Sequence, residues 1–187
     1  MRSYGITDEG QFYCIRNDNT AVVTKYLGSE TYVTIPDTVE NYPVTEIAKA
    51  AYYRTNLTEV VIPHSVEKIG CWAFADCRNM RGVYLPKSVQ YIENYAFDEN
   101  RQMLIMFESD VLPETEGNEW NRYADCVMSA DNYGISDGEY YYCITKNNEA
   151  TIGAYFGNEK NVEIPERIQG VPVVRVSGTF SWNEYLE

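Results

Sequence analysis

One segment of the sequence recurs with a spacing of 23 residues, and this periodicity constrains the fold more than any other feature. Residues 66–86 read "VEKIGCWAFADCRNMRGVYLP" and residues 89–107 read "VQYIENYAFDENRQMLIMF". The residues that recur are Pro63 and Pro86, Val66 and Val89, Ile69 and Ile92, Ala73-Phe74 and Ala96-Phe97, and Met80 and Met103. A repeat of this length is one supersecondary unit that buries its apolar face only by stacking on its neighbours. The sequence therefore predicts a solenoid.

Each repeat contains a short pattern typical of a β-strand. The segments "LTEVVIP" and "MRGVYLP" alternate apolar and other residues, which predicts inward-facing side chains at Val60 and Ile62, and at Val83 and Leu85. Proline then ends the strand because it cannot donate to the sheet ladder. Equivalent strands of stacked coils are expected to pair in parallel.

The segment "SVEKIGCWAFADC" is expected to turn the chain back through a short helical turn. Ala73, Phe74 and Cys77 would face inward from this turn. An earlier copy of the repeat places Tyr52 where the later copies have phenylalanine, and Asn100 stands where Cys77 stands. Residues 104–128 are interpreted as a degenerate last coil, with Trp120 near the aromatic position.

These residues resemble the BspA-type leucine-rich repeat family, found on the surfaces of host-associated anaerobes and some protists. The resemblance rests on the motif of strand, proline, "SV..IG..AF..C" and leucine, and it covers about residues 30–128 and again 158–187. The expected fold is α/β leaning to mainly β. It is a right-handed leucine-rich repeat solenoid with a parallel β-sheet, short helical turns and β-hairpin caps.

A second, longer duplication overlies the short repeat. The segment that begins at Tyr4 recurs without a gap from Tyr133, at an offset of 129 residues. Each copy opens with two strand-like runs around an Asn/Asp cluster, which predicts a β-hairpin that covers the end of a solenoid. The expected organisation is a hairpin cap at 1–29, an array of about four coils at 30–131, and a second cap with the start of a second array at 132–187.

The second array would stop after one coil's worth of residues. We interpret the chain as a piece of a longer protein, and the alternative is that the last coil is a closing element. The first residues, "MRSYGITDEG", lack the apolar run typical of a signal peptide, and no apolar run in the sequence is long enough for a membrane span. The formal net charge of −13 disfavours nucleic acid as a partner. The five cysteines are Cys14, Cys71, Cys77, Cys126 and Cys143, and most are interpreted as buried thiols.

The sequence offers little material for catalysis or for a cofactor. His64 and Cys71 are close enough in sequence to suggest a thiol–imidazole pair, but both positions vary among the repeats, and such variation is typical of solvent-facing residues. With 28 acidic residues, a carboxylate pair at any given distance carries almost no information. No metal-ligand spacing or phosphate-binding loop is present. The prediction is therefore no enzyme, no catalytic residue, no metal and no cofactor.

The strand residues between the inward ones are expected to form an open sheet face that binds a ligand. This candidate site consists of Tyr32, Thr34, Glu59, Val61, Tyr84, Ile105 and Phe107. Stacking would align Thr34, Val61, Tyr84 and Phe107 in one row that becomes more aromatic toward the last coil. The alternative is that this row packs against a neighbouring coil array or is covered by residues 108–131.

Tyr140, Tyr141 and Tyr142 form a second aromatic cluster. Strand alternation places Tyr141 on one face beside Cys143 and its two neighbours on the other face. The favoured interpretation is that this cluster packs the second cap onto the first array.

The family resemblance implies a non-enzymatic binding module of a cell-surface or secreted bacterial protein, with adhesion to a protein partner. Two alternatives stay open. One is a carbohydrate-binding module of an extracellular assembly, and the other is a structural spacer without a ligand. Neither the ligand nor the oligomeric state follows from the sequence.

Overall fold

A computed structural model describes residues 3–100, 103–121, 125–127, 130–136, 140–155 and 162–176. The described part of the chain is mainly β and contains no α-helix. In chain order the strands are β1 (Ser3–Ile6), β2 (Gln11–Ile15), β3 (Ala21–Tyr26), β4 (Tyr32–Thr34), β5 (Thr38–Val39), β6 (Tyr42–Ile47), β7 (Glu59–Val61), β8 (Lys68–Ile69), β9 (Gly82–Leu85), β10 (Tyr91–Ile92), β11 (Leu104–Phe107), β12 (Glu114–Thr115), β13 (Asp125–Val127), β14 (Ala130–Ile135), β15 (Tyr140–Thr145), β16 (Ala150–Tyr155), β17 (Arg167–Ile168) and β18 (Val171–Val176).

The parallel sheet predicted from the repeat is present. Strands β4, β7, β9, β11 and β13 pair in parallel, in that spatial order, and are called here the front sheet. The hydrophobic cluster inside the stacked coils is called here the main core. It buries the inward-facing side chains of Val60, Ile62, Val83 and Leu85, as the alternation predicts. The repeat therefore stacks into a solenoid because each coil contributes one strand at the same place.

A second parallel sheet, which the sequence analysis does not anticipate, lies on the opposite side of the coils. It contains the short strands β6, β8, β10 and β12, extended by β3, β2 and β1, and is called here the back sheet. Ile47, Ile69 and Ile92 point from it into the main core and are fully buried. Each coil of the repeat therefore contributes one strand to the front sheet and one short strand to the back sheet.

The predicted short helical turns are wrong for the described residues. Trp72 and Asp76 both adopt positive φ, at 57° and 55°, and the neighbouring coils repeat this pattern. Two left-handed residues four positions apart interrupt the right-handed geometry that an α-helix requires. The amides instead bond to the next coil, as in the 2.8 Å bond from the Phe74 amide to the Ala96 carbonyl. Ala73, Phe74 and Cys77 nevertheless face inward and are buried, as expected.

A ladder of aromatic rings runs through the stacked turns. Its members are Tyr26, Tyr52, Phe74, Phe97 and Trp120, with successive centroids 5.1–6.3 Å apart. The ring at Trp120 closes the ladder edge-on, which confirms the aromatic position inferred for the degenerate coil. Aromatic pairs of this kind each add about 0.5–1.5 kcal/mol beyond the area they bury. The ladder therefore couples each coil to the next.

The predicted hairpin precedes the first coil. Strands β1, β2 and β3 form an antiparallel unit, called here the first cap, and β3 pairs in parallel with β6. Asn19 has a φ of 65° in the β2–β3 turn, which accounts for the Asn/Asp cluster there. Ile15, Ala21 and Val23 close the end of the main core. The cap thus covers what would be an open end of the solenoid.

Tyr52 departs from the repeat because it bonds to this cap. Its hydroxyl donates to the Gln11 Oε1 at 2.9 Å, and the Gln11 Nε2 donates to the Thr34 carbonyl at 2.9 Å. Both Tyr52 and Gln11 are almost completely buried. A phenylalanine at this position would leave the Gln11 oxygen without that donor.

The longer duplication is reproduced strand by strand. Strands β14, β15 and β16 form a second cap, and β16 pairs in parallel with β18, as β3 does with β6. The two units share their irregularities: β-bulges fall at Phe12/Tyr13 and again at Tyr141/Tyr142. Residues 177–187, the end of the expected second array, and the Cys126 side chain lie outside what the structure describes.

Candidate functional site

The outward positions of the front sheet form two rows. Strand register places Tyr32 beside Glu59, and Thr34 beside Val61, which in turn lies beside Tyr84. The structure therefore brings these five predicted site residues onto one face. It also places Gly82 on this face, two residues before Tyr84.

Two predicted site residues do not lie on this face. Ile105 pairs with Val83 and Phe107 pairs with Leu85, and both are buried in the main core. The coil between Gly82 and Leu104 is one residue shorter than the repeat at this point, and a slip of one residue moves every strand side chain to the opposite face. The predicted row is therefore wrong at its last member, and Met106, not Phe107, follows Tyr84.

Leu104 and Met106 are the residues that the sequence analysis missed on this face. Both are buried, although they point away from the main core. The sequence did contain a signal for this, since "LIMF" is an uninterrupted apolar run. Such a run is typical of a strand that is covered on both sides.

The second cap covers this half of the face. Tyr141 and Cys143 form a hydrophobic cluster with Leu104 and Met106. Tyr141 is 3% exposed, which confirms that the cap packs onto the first array. Tyr140 and Tyr142 lie in a separate cluster inside the second unit, so the predicted alternation of the three tyrosines is also confirmed.

Two glycines allow the two sheets to approach closely. A Cβ on Gly82 would overlap the Tyr141 ring, so no other residue fits beneath that ring without displacing it. A Cβ on Gly153 would lie 3.1 Å from the Leu104 side chain. At the rim, the Lys146 Nζ donates to the Glu108 carbonyl at 2.7 Å.

The remaining half of the face is open to solvent. Tyr32 is 56% exposed and Thr34 is exposed, while Glu59 and Val61 are half-buried. Tyr133 of the second cap stacks on Tyr84, with centroids 5.4 Å apart, and borders this region. We call the region formed by Tyr32, Thr34, Glu59, Val61, Tyr84 and Tyr133 the notch.

The electrostatics of the notch centre on one carboxylate. Burial raises the pKa of Glu59, and no basic side chain or hydrogen-bond donor contacts its carboxylate among the described residues. Burial first, and then the nearby Glu59 charge, raise the pKa of Tyr133. Burial also raises the pKa of Tyr84 to about 12. The notch therefore places tyrosine rings around one partly buried carboxylate.

The residues considered for catalysis are not brought together into a site. His64 is largely exposed, with its Nδ1 3.7 Å from the Glu108 Oε2. The Cys71 amide instead donates to the Glu93 Oε2, and burial raises the pKa of the Cys71 thiol. A nucleophilic cysteine needs a lowered thiol pKa, so the local environment opposes that role.

Two further kinds of site are absent from the described part of the chain. That part holds no group of three or more His, Cys, Asp or Glu side chains placed to bind a metal ion. It also holds no helix that could cross a membrane.

Comparisons with known proteins agree with this architecture. Residues 45–116 match the family model described as BspA type Leucine rich repeat region (6 copies). A solved leucine-rich repeat protein from Bacteroides capillosus is 33% identical, with a TM-score of 0.55, over 66% of this chain and 96% of that one.

Two more distant structures are also similar. The leucine-rich repeat protein of T. pallidum is 25% identical with a TM-score of 0.48, over 66% of this chain and 64% of that one. A leucine-rich cell surface protein from Faecalibacterium prausnitzii is 20% identical with a TM-score of 0.40, over 83% of this chain and 62% of that one. No curated protein matches the chain.

Proposed function

Because the chain belongs to the BspA-type leucine-rich repeat family, we propose that it is a non-enzymatic binding module of a cell-surface or secreted bacterial protein. The proposed activity is adhesion to a protein partner through the notch. The surface location follows from the family resemblance alone. Membership of this family is consistent with a binding module or a structural module, and the proposal selects the binding module.

The observation that supports the proposal is the pairing of Tyr32 with Glu59. The two residues lie side by side on neighbouring strands, one largely exposed and the other half-buried. No basic side chain among the described residues contacts the Glu59 carboxylate, and the Tyr32 ring beside it is exposed. A ligand with a positive charge and an apolar surface would pair with the carboxylate and cover the ring.

A lysine or arginine side chain of a partner protein has this chemistry. It would donate charge-assisted hydrogen bonds to the Glu59 carboxylate. The rings of Tyr32 and Tyr133 would add cation–π contacts, each of about 0.5–2 kcal/mol. The net charge of −13 would also speed the approach of a basic partner.

A carbohydrate ligand is the second candidate, because tyrosine rings and one carboxylate also suit the apolar and hydroxyl faces of a sugar. The exposed ring of Tyr32 favours this candidate equally. The basic-protein candidate is preferred because burial raises the pKa of Glu59, and a neutral sugar would not relieve that unfavourable charge.

Binding of the labelled protein to an array of extracellular-matrix proteins and glycans tests the proposal. We expect binding to a basic protein ligand that falls at least about tenfold in Tyr32→Ala/Glu59→Gln, which is about 1.4 kcal/mol. The control is Leu112→Ala, because Leu112 is 52% exposed and lies outside the notch. Loss of glycan binding would instead establish the carbohydrate candidate. If the wild type binds no ligand on the array, the chain is a spacer. If Tyr32→Ala/Glu59→Gln binds as well as the wild type, the notch is not the binding site.

A further inference from the structure

The two caps carry equivalent surfaces, but the described residues cover only the surface of the second cap. The outer face of the second cap contains Tyr133, Tyr141 and Cys143, which pack against the front sheet or its residue Tyr84. The equivalent residues of the first cap, 129 positions earlier, are Tyr4, Phe12 and Cys14. Aromatic residues and a cysteine therefore recur at the contact positions of both caps.

Strand register makes the two outer faces equivalent in geometry as well. Tyr4 pairs with Cys14 and Ile6 with Phe12 in the first cap. The second cap repeats both pairs, at Tyr133 with Cys143 and at Ile135 with Tyr141. Four equivalent positions are thus paired in the same way, and only Phe12 and Tyr141 differ in residue type.

Exposure distinguishes the two faces. Tyr4 is 81% exposed and Phe12 is 37% exposed, while the Phe12 equivalent Tyr141 is 3% exposed. Cys14 is half-buried, while Cys143 is fully buried. An exposed cluster of large apolar side chains on a rigid sheet is typical of an interaction surface.

We propose that the outer face of the first cap, through Tyr4, Phe12 and Cys14, docks onto the front sheet of another BspA-type repeat array. The contact inside this chain shows the chemistry of the partner. The partner presents a glycine where Gly82 stands and apolar residues where Leu104 and Met106 stand. Docking by the first cap would therefore repeat between arrays the contact that the second cap makes within this chain.

One difference between the caps affects how closely each of them can approach a front sheet. Thr24 stands where the second cap has Gly153, and Gly153 lies directly against Leu104. A threonine needs more room than a glycine at such a contact. The first cap is therefore expected to approach a front sheet less closely at the Leu104 position than the second cap does. This inference does not depend on the notch or on its ligand.

The test requires a front sheet that is not already covered, and this chain can supply one. In the wild type the second cap is tethered to its own docking site, and the high local concentration of a tethered group excludes competitors. The variant Tyr133→Arg/Tyr141→Arg would release the second cap and expose Gly82, Leu104 and Met106. The first cap of another molecule can then dock there.

Sedimentation velocity on the full chain measures the outcome. We expect the released variant to associate with a dissociation constant roughly tenfold or more below that of the wild type. Adding Tyr4→Arg/Phe12→Arg to the same chain should restore wild-type behaviour. Gly82→Leu is the matched control, because it displaces the second cap but also fills the docking site, and should not associate through it.

Two results would overturn the proposal: a released variant that stays as monomeric as the wild type, or association that persists when Tyr4 and Phe12 are also replaced. Far-UV circular dichroism verifies folding, and Tyr133→Ser/Tyr141→Ser replaces the arginine pair if that pair unfolds the chain. A photo-crosslinker at position 12 supplies an independent reading. Crosslinks to the Gly82–Leu104 region of another molecule support the proposal, and crosslinks elsewhere refute it.

Discussion

The aromatic ring of Tyr141 lies directly on Gly82 and occupies the space that any side chain at residue 82 would need. The two residues come from different units, one from the front sheet of the first array and one from the second cap. Their contact converts half of a sheet face that the sequence presents as open into an internal interface. The exposed half is the notch to which we assign binding.

Gly82→Leu is expected to separate the second cap from the front sheet. The leucine would displace the Tyr141 ring, and the cost is about 2–3 kcal/mol, the value of burying one large apolar side chain. Urea unfolding at 25 °C measures this loss of stability. Thr34→Leu is the control on the exposed half of the same sheet. An equal effect of the two substitutions would contradict the role assigned to Gly82.

Asn100 is expected to be the most costly polar residue to replace in the coils. Its Oδ1 accepts from the Cys77 amide at 2.8 Å, and its Nδ2 donates to the carbonyls of Phe74 and Phe97 at 2.7 and 3.1 Å. Asn100→Leu leaves these buried backbone groups unsatisfied and should lower the free energy of unfolding by about 3–5 kcal/mol.

The chain provides the matched control for this prediction. Cys77 occupies the equivalent position one coil earlier, and its Sγ donates to the Tyr52 carbonyl at 3.0 Å. Asn100→Cys should therefore keep one of the three bonds and cost less than Asn100→Leu in the same unfolding experiment. If the two variants are equally unstable, the bonds to the preceding coil are not the source of the stability.

The bond between Tyr52 and Gln11 is expected to couple the first cap to the first coil. Tyr52→Phe removes the donor to the buried Gln11 Oε1 and should cost about 1–2 kcal/mol. Gln11→Met removes the other partner and leaves the Thr34 carbonyl without its donor. A double-mutant cycle on unfolding free energies should give a coupling of about 1 kcal/mol. A coupling of zero would show that the cap is held by apolar packing alone.

Glu59 is expected to make the chain less stable as the pH rises. Burial raises its pKa above 4.5, the ordinary value, so around that pH the folded state binds more protons than the unfolded state. Stability from this group is therefore present at low pH and is lost as the pH rises through the raised pKa, after which it stays constant.

The variant Glu59→Gln removes this titration. The difference in unfolding free energy between Glu59→Gln and the wild type should increase in favour of the variant as the pH rises from about 4 through the raised pKa of Glu59, and should then stay constant. Denaturant unfolding at several pH values measures it, with Glu114→Gln, an exposed carboxylate on β12, as the control. A difference that is flat with pH, or that changes in the opposite direction, would show that Glu59 is well stabilised as an anion.

Much of the fold was predictable because it depends on local periodicity. The inward positions Val60, Ile62, Val83 and Leu85, the parallel front sheet, and the hairpin around Asn19 all follow from spacing and residue type. Phe74 was also placed inward correctly, although its turn is not helical. The helix was the wrong inference, because tolerance of positive φ at residues such as Trp72 leaves no signature in the side-chain pattern.

The candidate site was predictable only in part. Tyr32, Thr34, Glu59, Val61 and Tyr84 share one face because β4, β7 and β9 pair in the register that the repeat predicts. Ile105 and Phe107 do not, because one residue fewer before β11 reverses the face of each side chain. The position of Tyr133 at the edge of the notch could not be inferred, since Tyr133 belongs to the second cap, about 50 residues further along the chain than Tyr84.

The sequence by itself determined the repeat, its inward residues and the duplication of the cap, because each of these depends on the order of residues within one coil or one hairpin. The tertiary structure decided which half of the front sheet is covered. That outcome depends on two surfaces that meet only after folding, where Gly82 and Gly153 leave room for close contact. The covered half and the notch therefore differ because the second cap buries apolar area against one half only. Strand periodicity contains no information about that contact.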